Sequence, residues 1–533
     1  NVADSISLFA RADEIILNRL YVPNLSILGG IKNNNINIYS RFSNKDDGTS
    51  AFIAMQSVIR RNETTGTPQI RINLQPSYIT FNNQTWQTNT PTITIDSAHI
   101  HIPNFNISSG VQNLAVNGDI SRQETDTLAI KLSNFNLAPL SRITDRMGYQ
   151  IGGTVDGNVR MISVMQNMYF LSQIDIKSLT LNGHQFQDAI FRSAWAPDDR
   201  RIYYTLNTQG SKLIDGHFTP KTKHYFAQID IPNIDISLIS PFLQGIMEDT
   251  RGTGHVKVTA SNPDGYFALN GTVEIPEFTA TIAFTKVRYT VSGTVDVKDN
   301  QFTLRPGGKI VDESGTEAPL DAWLTNTRFK NVNYFIGMHP SRMLCMNTSA
   351  KDNDLFYGTI YASGDVAIRG RGKRVTMDVT ATTDAPSTFS MPPSDKSTMT
   401  EADFITFVSR EEPQEVKRTF ILNDKKKNKS QGSFDMNMNV TVLPNTYAQI
   451  VIDPTIGDII KGRGTGQFVF HARPKESIFT INGGYEMEEG NYLFTLSNII
   501  NKYFTIREGS TITWTGGPLQ GNLNMAATYN VKT

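Results

Sequence analysis

Residues 434–442 read Phe434-Asp435-Met436-Asn437-Met438-Asn439-Val440-Thr441-Val442. Every second side chain is apolar, and those between are Asp, Asn, Asn and Thr. A period of two marks a strand with one apolar face and one wet face. The pattern recurs far from this stretch. Val155, Gly157, Val159 and Met161 alternate with Asp156, Asn158 and Arg160. Val256 and Val258 flank Lys257, Val295 and Val297 flank Asp296, and Val375, Met377 and Val379 alternate with Thr376 and Asp378. Ile70, Ile72 and Leu74, and then Ile93 and Ile95, follow the same rule, as do Leu523, Met525, Ala527 and Tyr529 near the end. Phe468, Phe470 and Phe494 lie in comparable runs. The runs are shorter than the ~10-residue strands of a transmembrane barrel and lack its aromatic girdles.

Between the runs stand Asp47-Gly48, Asn117-Gly118, Asn182-Gly183 and Asn270-Gly271, dipeptides that suit hairpin turns. Helical signals are few. Short turns are expected within 137–147 and 236–248, at 398–408 and from Asp453-Pro454 to Ile460. A weak repeat is also visible. Asn136-Leu137-Ala138-Pro139-Leu140 precedes Gly153-Thr154-Val155 much as Asp235-Ile236-Ser237-Leu238 precedes Arg251-Gly252-Thr253-Gly254. That offset of roughly a hundred residues is too large for a solenoid coil. Charged loops at 391–396 and 424–429 do not separate regions of different composition. One continuous architecture is therefore favoured over the three or four globules that 533 residues would otherwise suggest.

Composition excludes several functions. Fifty basic and fifty acidic residues cancel, which argues against a nucleic-acid binder. The one cysteine, Cys345, rules out an internal disulfide and thiolate zinc clusters, and reads as a small buried hydrophobe. No run of 18 or more apolar residues is long enough to span a bilayer as a helix. The chain begins Asn1-Val2-Ala3-Asp4 and ends in strand-like pattern, so an internal piece of a longer protein is expected.

Catalytic constellations are sparse. His99 and His101 share one strand face with no third ligand in view. The glycines of 462–466 and 152–157 precede no helix and read as strand-crossing positions rather than phosphate cradles. Arg369, Arg371, Lys373 and Arg374 form a basic edge, and Glu486, Glu488 and Glu489 have no partner base. No enzyme activity, cofactor or metal is expected.

A sheet with one apolar face must cover it. Two readings stand. The stripe packs on itself as an ordinary core, or about 35 mostly antiparallel or mixed strands form a long strip folded lengthwise into a taco-like trough. In the trough, Val155, Val159, Met161, Val256, Val258, Val295, Val297, Val375, Met377, Val379, Phe434, Met436, Met438, Val440, Phe468, Phe470 and Phe494 would line an apolar groove suited to lipid tails.

The last ninety residues carry a specific motif set: Asp453, Pro454, Gly457 and Asp458, then Tyr485, Gly490 and Tyr492, then Phe504, Gly509, Trp514, Gly516, Pro518 and Tyr529. These residues resemble the C-terminal domain of the TamB family, the translocation and assembly module proteins of the AsmA-like group. The upstream stretch Asn353-Asp354-Leu355-Phe356-Tyr357-Gly358 looks like the Bacteroidota versions. The resemblance divides the chain into a repetitive β-groove segment, 1–340, and a TamB-type C-terminal domain, 341–533. It implies an N-terminal inner-membrane helix beyond this chain and a taco-shaped sheet crossing the periplasm of a Gram-negative bacterium. It also implies phospholipid passage to the outer membrane and an outer-membrane barrel partner of the BamA/TamA class. The alternative function is a scaffold or chaperone that helps insert outer-membrane barrel proteins. The resemblance supplies no catalytic residues.

Overall fold

A computed structural model of the chain describes residues 5–391 and 433–529, apart from 18–19, 45–47, 62–65, 82–83, 97, 142–147, 167, 244, 328–329, 353–355, 373, 454–457, 474–475, 477, 497–499 and 518–520. The helix expected at 398–408, most of the two charged loops, and Pro454, Gly457 and Pro518 lie outside the described residues.

The alternating runs are strands, and 36 strands form one mixed sheet, so the chain is all-β. The described residues divide into two compact units. Unit 1 runs through Ile229 and unit 2 starts at Asp230.

Unit 1 is built by antiparallel pairing of strands close in sequence. From Gln112–Ile120 to His224–Asp235, each long strand pairs with the next long one along the chain. Between 68 and 95 the strands are broken. Pro68–Leu74 and Tyr78–Phe81 both pair with Ser50–Arg61, at its two ends. Unit 2 continues the antiparallel theme until Arg374–Met391, which pairs in parallel with Ser433–Val442 and then with Thr446–Asp453. Those are the parallel pairings among the described residues.

Helix is minimal. Ala138–Leu140 is a single 3-10 turn, and Ile236–Ile239 is another, followed by the α-turn Ser240–Leu243. The second expected helix stops short of 248, because Met247–Ser261 is already strand. Of the short turn expected up to Ile460, residues 454–457 lie outside the described residues, while Asp453 closes one strand and 458–460 open the strand that pairs with it. The weak repeat is real in three dimensions. The amide oxygen of Asn136 accepts from the Ala138 N–H at 3.0 Å, and the Asp235 carboxylate accepts from the Ser237 N–H at 2.9 Å. Both turns are therefore set off by the same side-chain bond to the N–H two residues on, and in the second Asp235 is also the N-cap. Both lead to a strand with a left-handed glycine, Gly153 at φ +121° and Gly252 at φ +147°.

The strands are longer than the alternation suggests. Met247–Ser261 has 15 residues, Arg374–Met391 has 18 and Ile478–Leu496 has 19. Bulges explain the difference: an extra residue resets the period of two, so one long strand reads as two short ones. Asn104, Asn134 and Ser178 sit within strands at φ +50°, +51° and +50°. Each N–H there donates to a side chain on a neighbouring segment, Asn117, Asp156 and Asp188 respectively. Two of the four dipeptides read as turns belong to this system. Asn117-Gly118 and Asn270-Gly271 lie inside strands, where the Asn oxygens accept from the Asn104 and Asp299 N–H groups. Asn182-Gly183 is a hairpin turn as expected.

Gly483 shows how tightly these long strands are held. It sits at φ +150° in Ile478–Leu496, and a Cβ there would lie 2.1 Å from the Gln467 carbonyl oxygen. Gly483→Ala is expected to destabilise unit 2 by about 1–3 kcal/mol, seen as a lower midpoint in urea unfolding.

Candidate functional site

The register lines up apolar side chains across many strands on one face. In unit 1, Leu114, Leu132, Gly157, Ile174, Phe191, Leu206, Ile214 and Ile229 are successive cross-strand partners. Val155, Val159 and Met161 flank Gly157 on that face, opposite Phe135, Ile130 and Leu128. The bulge at Asn134 keeps Phe135 in step with Leu132, two faces of one alternation joined by one extra residue.

Unit 2 has a row of the same kind: Val258, Gly271, Val297, Phe302, Leu324, Tyr334, Gly370, Val375 and Phe434. Val256 and Val295 meet across Val273. Met377 faces Met436, Val379 faces Met438, Met438 faces Phe470, and Val440 faces Phe468. Phe494 lies two residues beyond Tyr492 on one strand, with ring centroids 6.3 Å apart.

Burial distinguishes the two units. Val155, Val159 and Met161 are half-buried, and so are Leu132, Ile174, Phe191, Leu206 and Ile214 around them. Among the described residues of unit 1, Leu128 alone of the Leu, Ile, Val, Met and aromatic side chains is buried. A sheet packed against a second layer would seal many more. Here the cross-strand neighbours cover one another's flanks and the tips stay accessible.

Unit 2 is open in part. Val256, Val295, Val375, Met377, Val379, Phe434, Met436, Met438 and Val440 are half-buried, while Val258 and Val297 are 4% exposed. Towards the C-terminus the face closes. Ile460, Ile481, Tyr485, Met487, Ile506, Ile512 and Trp514 form a sealed cluster, with Phe468, Phe470 and Tyr492 packed against it. The Phe468 and Trp514 rings meet edge-on at 5.8 Å.

The C-terminal motif residues therefore serve largely in packing. Tyr485, Tyr492 and Trp514 build the cluster, and Phe504 packs on Tyr529 at 5.3 Å. Gly490 leaves room for the Met487 methyl, Gly509 makes the left-handed turn before Ser510, and Gly516 ends that strand. Burial, with the nearby Glu488 charge, pushes the Tyr485 phenol up to about 12.

Other titratable groups are structural. His99 Nε2 and His101 Nδ1 both lie 2.7 Å from one oxygen of Asp119. Burial raises the Asp119 carboxyl, but the two imidazoles more than offset it and leave it below the usual range. No cluster of three or more His, Cys, Asp or Glu suited to a metal occurs among the described residues. Cys345 is half-buried, and burial drives its thiol up to about 11. At pH 8 its thiolate is about a hundredfold scarcer than for a thiol at 9.0, so alkylation of the folded protein is expected to be slower by that factor. A labelling time course with and without denaturant checks this.

Sequence reading missed Phe191 and Leu206, because apolar neighbours such as Ile190 and Ala194 blur the alternation around them. It also missed the sealed cluster, whose members are brought together by pairing between distant strands. No helix among the described residues is long and apolar enough to cross a membrane.

Comparison with known proteins agrees with the motif reading. Residues 312–533 match the family model of the TamB C-terminal domain. That match begins within unit 2, upstream of the boundary at 340/341 that the resemblance implies. No curated protein and no solved structure matches the chain. Over residues 312–533 the chain carries a TamB C-terminal domain.

Proposed function

We propose that this protein holds phospholipid acyl chains on its apolar ladders and carries them across the periplasm between inner and outer membranes. The TamB family is linked to lipid and protein transport at the outer membrane. The observation that carries the reading is the unit 1 row from Leu114 to Ile229. It crosses eight strands, stays apolar throughout, and is half-buried at every large side chain. Acyl chains laid on such a row would leave water at about 0.8 kcal/mol per buried CH₂. Because the row is continuous in register, a tail can move along it without returning to water. No residue needs to react.

A second reading is assembly of outer-membrane barrel proteins, since the TamB family is linked to protein as well as lipid transport at the outer membrane. An outer-membrane barrel of the BamA/TamA class is the partner proposed for either reading.

Native mass spectrometry with solvent extraction of the purified chain tests the lipid reading. Co-purified phospholipid is the expected result. A folded chain free of lipid, and unable to take it up from vesicles, would overturn it.

A further inference from the structure

The opposite, polar face of unit 2 holds a depression of about 360 Å³. Its floor is Gly337 and Ala367, direct cross-strand partners whose side chains are too small to fill it. The volume falls at the low end of the range for small-molecule sites.

Phe335, Arg369, Asp378 and Asn437 line one side as an aromatic and ionic wall, and Trp323 stands next to Phe335 just outside the lining. Trp323 and Phe335 are cross-strand partners with rings 6.1 Å apart and 22° from parallel. Arg369 lies 5.7 Å from the Phe335 ring and donates to Asp378 at 2.6 Å. The other Asp378 oxygen accepts from Asn437 at 3.0 Å, and the Asn437 oxygen lies 2.8 Å from His471 Nδ1. This wall is thus preset by its own bonds. Trp323 nonetheless remains 41% exposed.

Asp321 and Asn439 also line the depression, and neither has a partner among the described residues. Asp321, Asp365 and Asp378 are three carboxylates against the guanidinium of Arg369 and the imidazole of His339, whose Nδ1 lies against Asp365. That balance repels phosphate and carboxylate ligands. It leaves acceptors and amides for hydroxyl groups, beside an exposed indole that can cover the apolar face of a ring. The relevant rows lie two residues apart along the strands, so three rows span about 14 Å, enough for more than one ring.

We propose that this depression is a saccharide-binding subsite that takes a short, non-acidic pyranose oligosaccharide. The inference stands apart from lipid carriage, since the side chains it invokes, Asp321, Trp323, Arg369, Asp378 and Asn439, lie on the face opposite the apolar ladders, which reach the depression only at Val366 and Val379.

The test is isothermal titration of the whole chain with chitotriose, tri-N-acetylchitotriose and trigalacturonate, with spermidine as a control cation. Three variants accompany it: Ala367→Gln, which fills the floor, Asp321→Ala and Trp323→Ala. Binding of at least one chitotriose form, with trigalacturonate weaker by tenfold or more, is expected. Each variant is expected to weaken that binding by about tenfold at an unchanged unfolding midpoint. Three results would overturn the proposal: no binding by either chitotriose, equal binding by trigalacturonate, or variants that bind like wild type. Spermidine binding as tightly as chitotriose would also overturn it, by showing a cation site. Asp321 and Trp323 are on the surface, so their variants remain informative if Ala367→Gln fails to fold.

Discussion

Aspartate at Val256 and Met438 together is expected to strip bound phospholipid from the protein while its circular dichroism and unfolding midpoint stay close to wild type. Both positions lie on the apolar face of unit 2 and both are half-buried. A carboxylate there can turn its oxygens to water, so the cost to folding is small. A lipid tail laid over it would desolvate the charge, at a cost of several kcal/mol. Val159→Asp extends the experiment to unit 1, where Ile130 is its direct neighbour and no sealed layer lies within the unit's described residues. Lipid retained by both the double variant and Val159→Asp would sink the conduit. Unfolding of the variants would instead show that the face is an ordinary core.

Truncation in the sealed cluster should behave in the opposite way. Trp514 and Ile512 are 5% and 2% exposed and are surrounded by Tyr485, Met487 and Phe468. Trp514→Ala is expected to cost about 3–5 kcal/mol and Ile512→Ala about 2–5 kcal/mol, from lost burial and the cavity left behind. Leu132→Ala in unit 1 removes a half-buried side chain and should cost under about 1.5 kcal/mol. Urea unfolding of the three variants checks the contrast. Equal losses at Leu132 and Trp514 would mean that unit 1 is sealed after all. The lipid content of the two C-terminal variants should not fall in proportion to their stability, since the cluster lies beyond the open rows.

The all-β character was legible because alternation is local. Phe434 to Val442 shows it in nine residues, and the structure makes one strand of them. Strand length was not legible. A left-handed residue such as Asn134 changes the parity of everything after it, and composition does not reveal which Asn takes that role. The expected groove positions rest on parity, yet parity is the same for Met436 and Phe468. Whether a face is open or sealed depends on what a distant strand brings over it. For Phe468 that is Trp514, 46 positions on in sequence and two strands away in register. The polar-face depression was invisible for a related reason. Gly337 and Ala367 become its floor through pairing, and nothing near either residue in sequence predicts the other.

The pairing scheme of unit 1 also bears on how such a protein can change in length. From Gln112 onwards, each long strand leans on its immediate sequence neighbours, and no central nucleus gathers contributions from all of them. Inserting or deleting a whole hairpin then alters two junctions and leaves the other junctions as they were. Adding a single strand would reverse chain direction for everything downstream, so change should come in pairs of strands. Relatives with longer or shorter sheets could be produced by duplication or loss of hairpins, at a folding cost that grows linearly with their number. The sealed C-terminal cluster has no such freedom, because removal of any one of its strands exposes the rest.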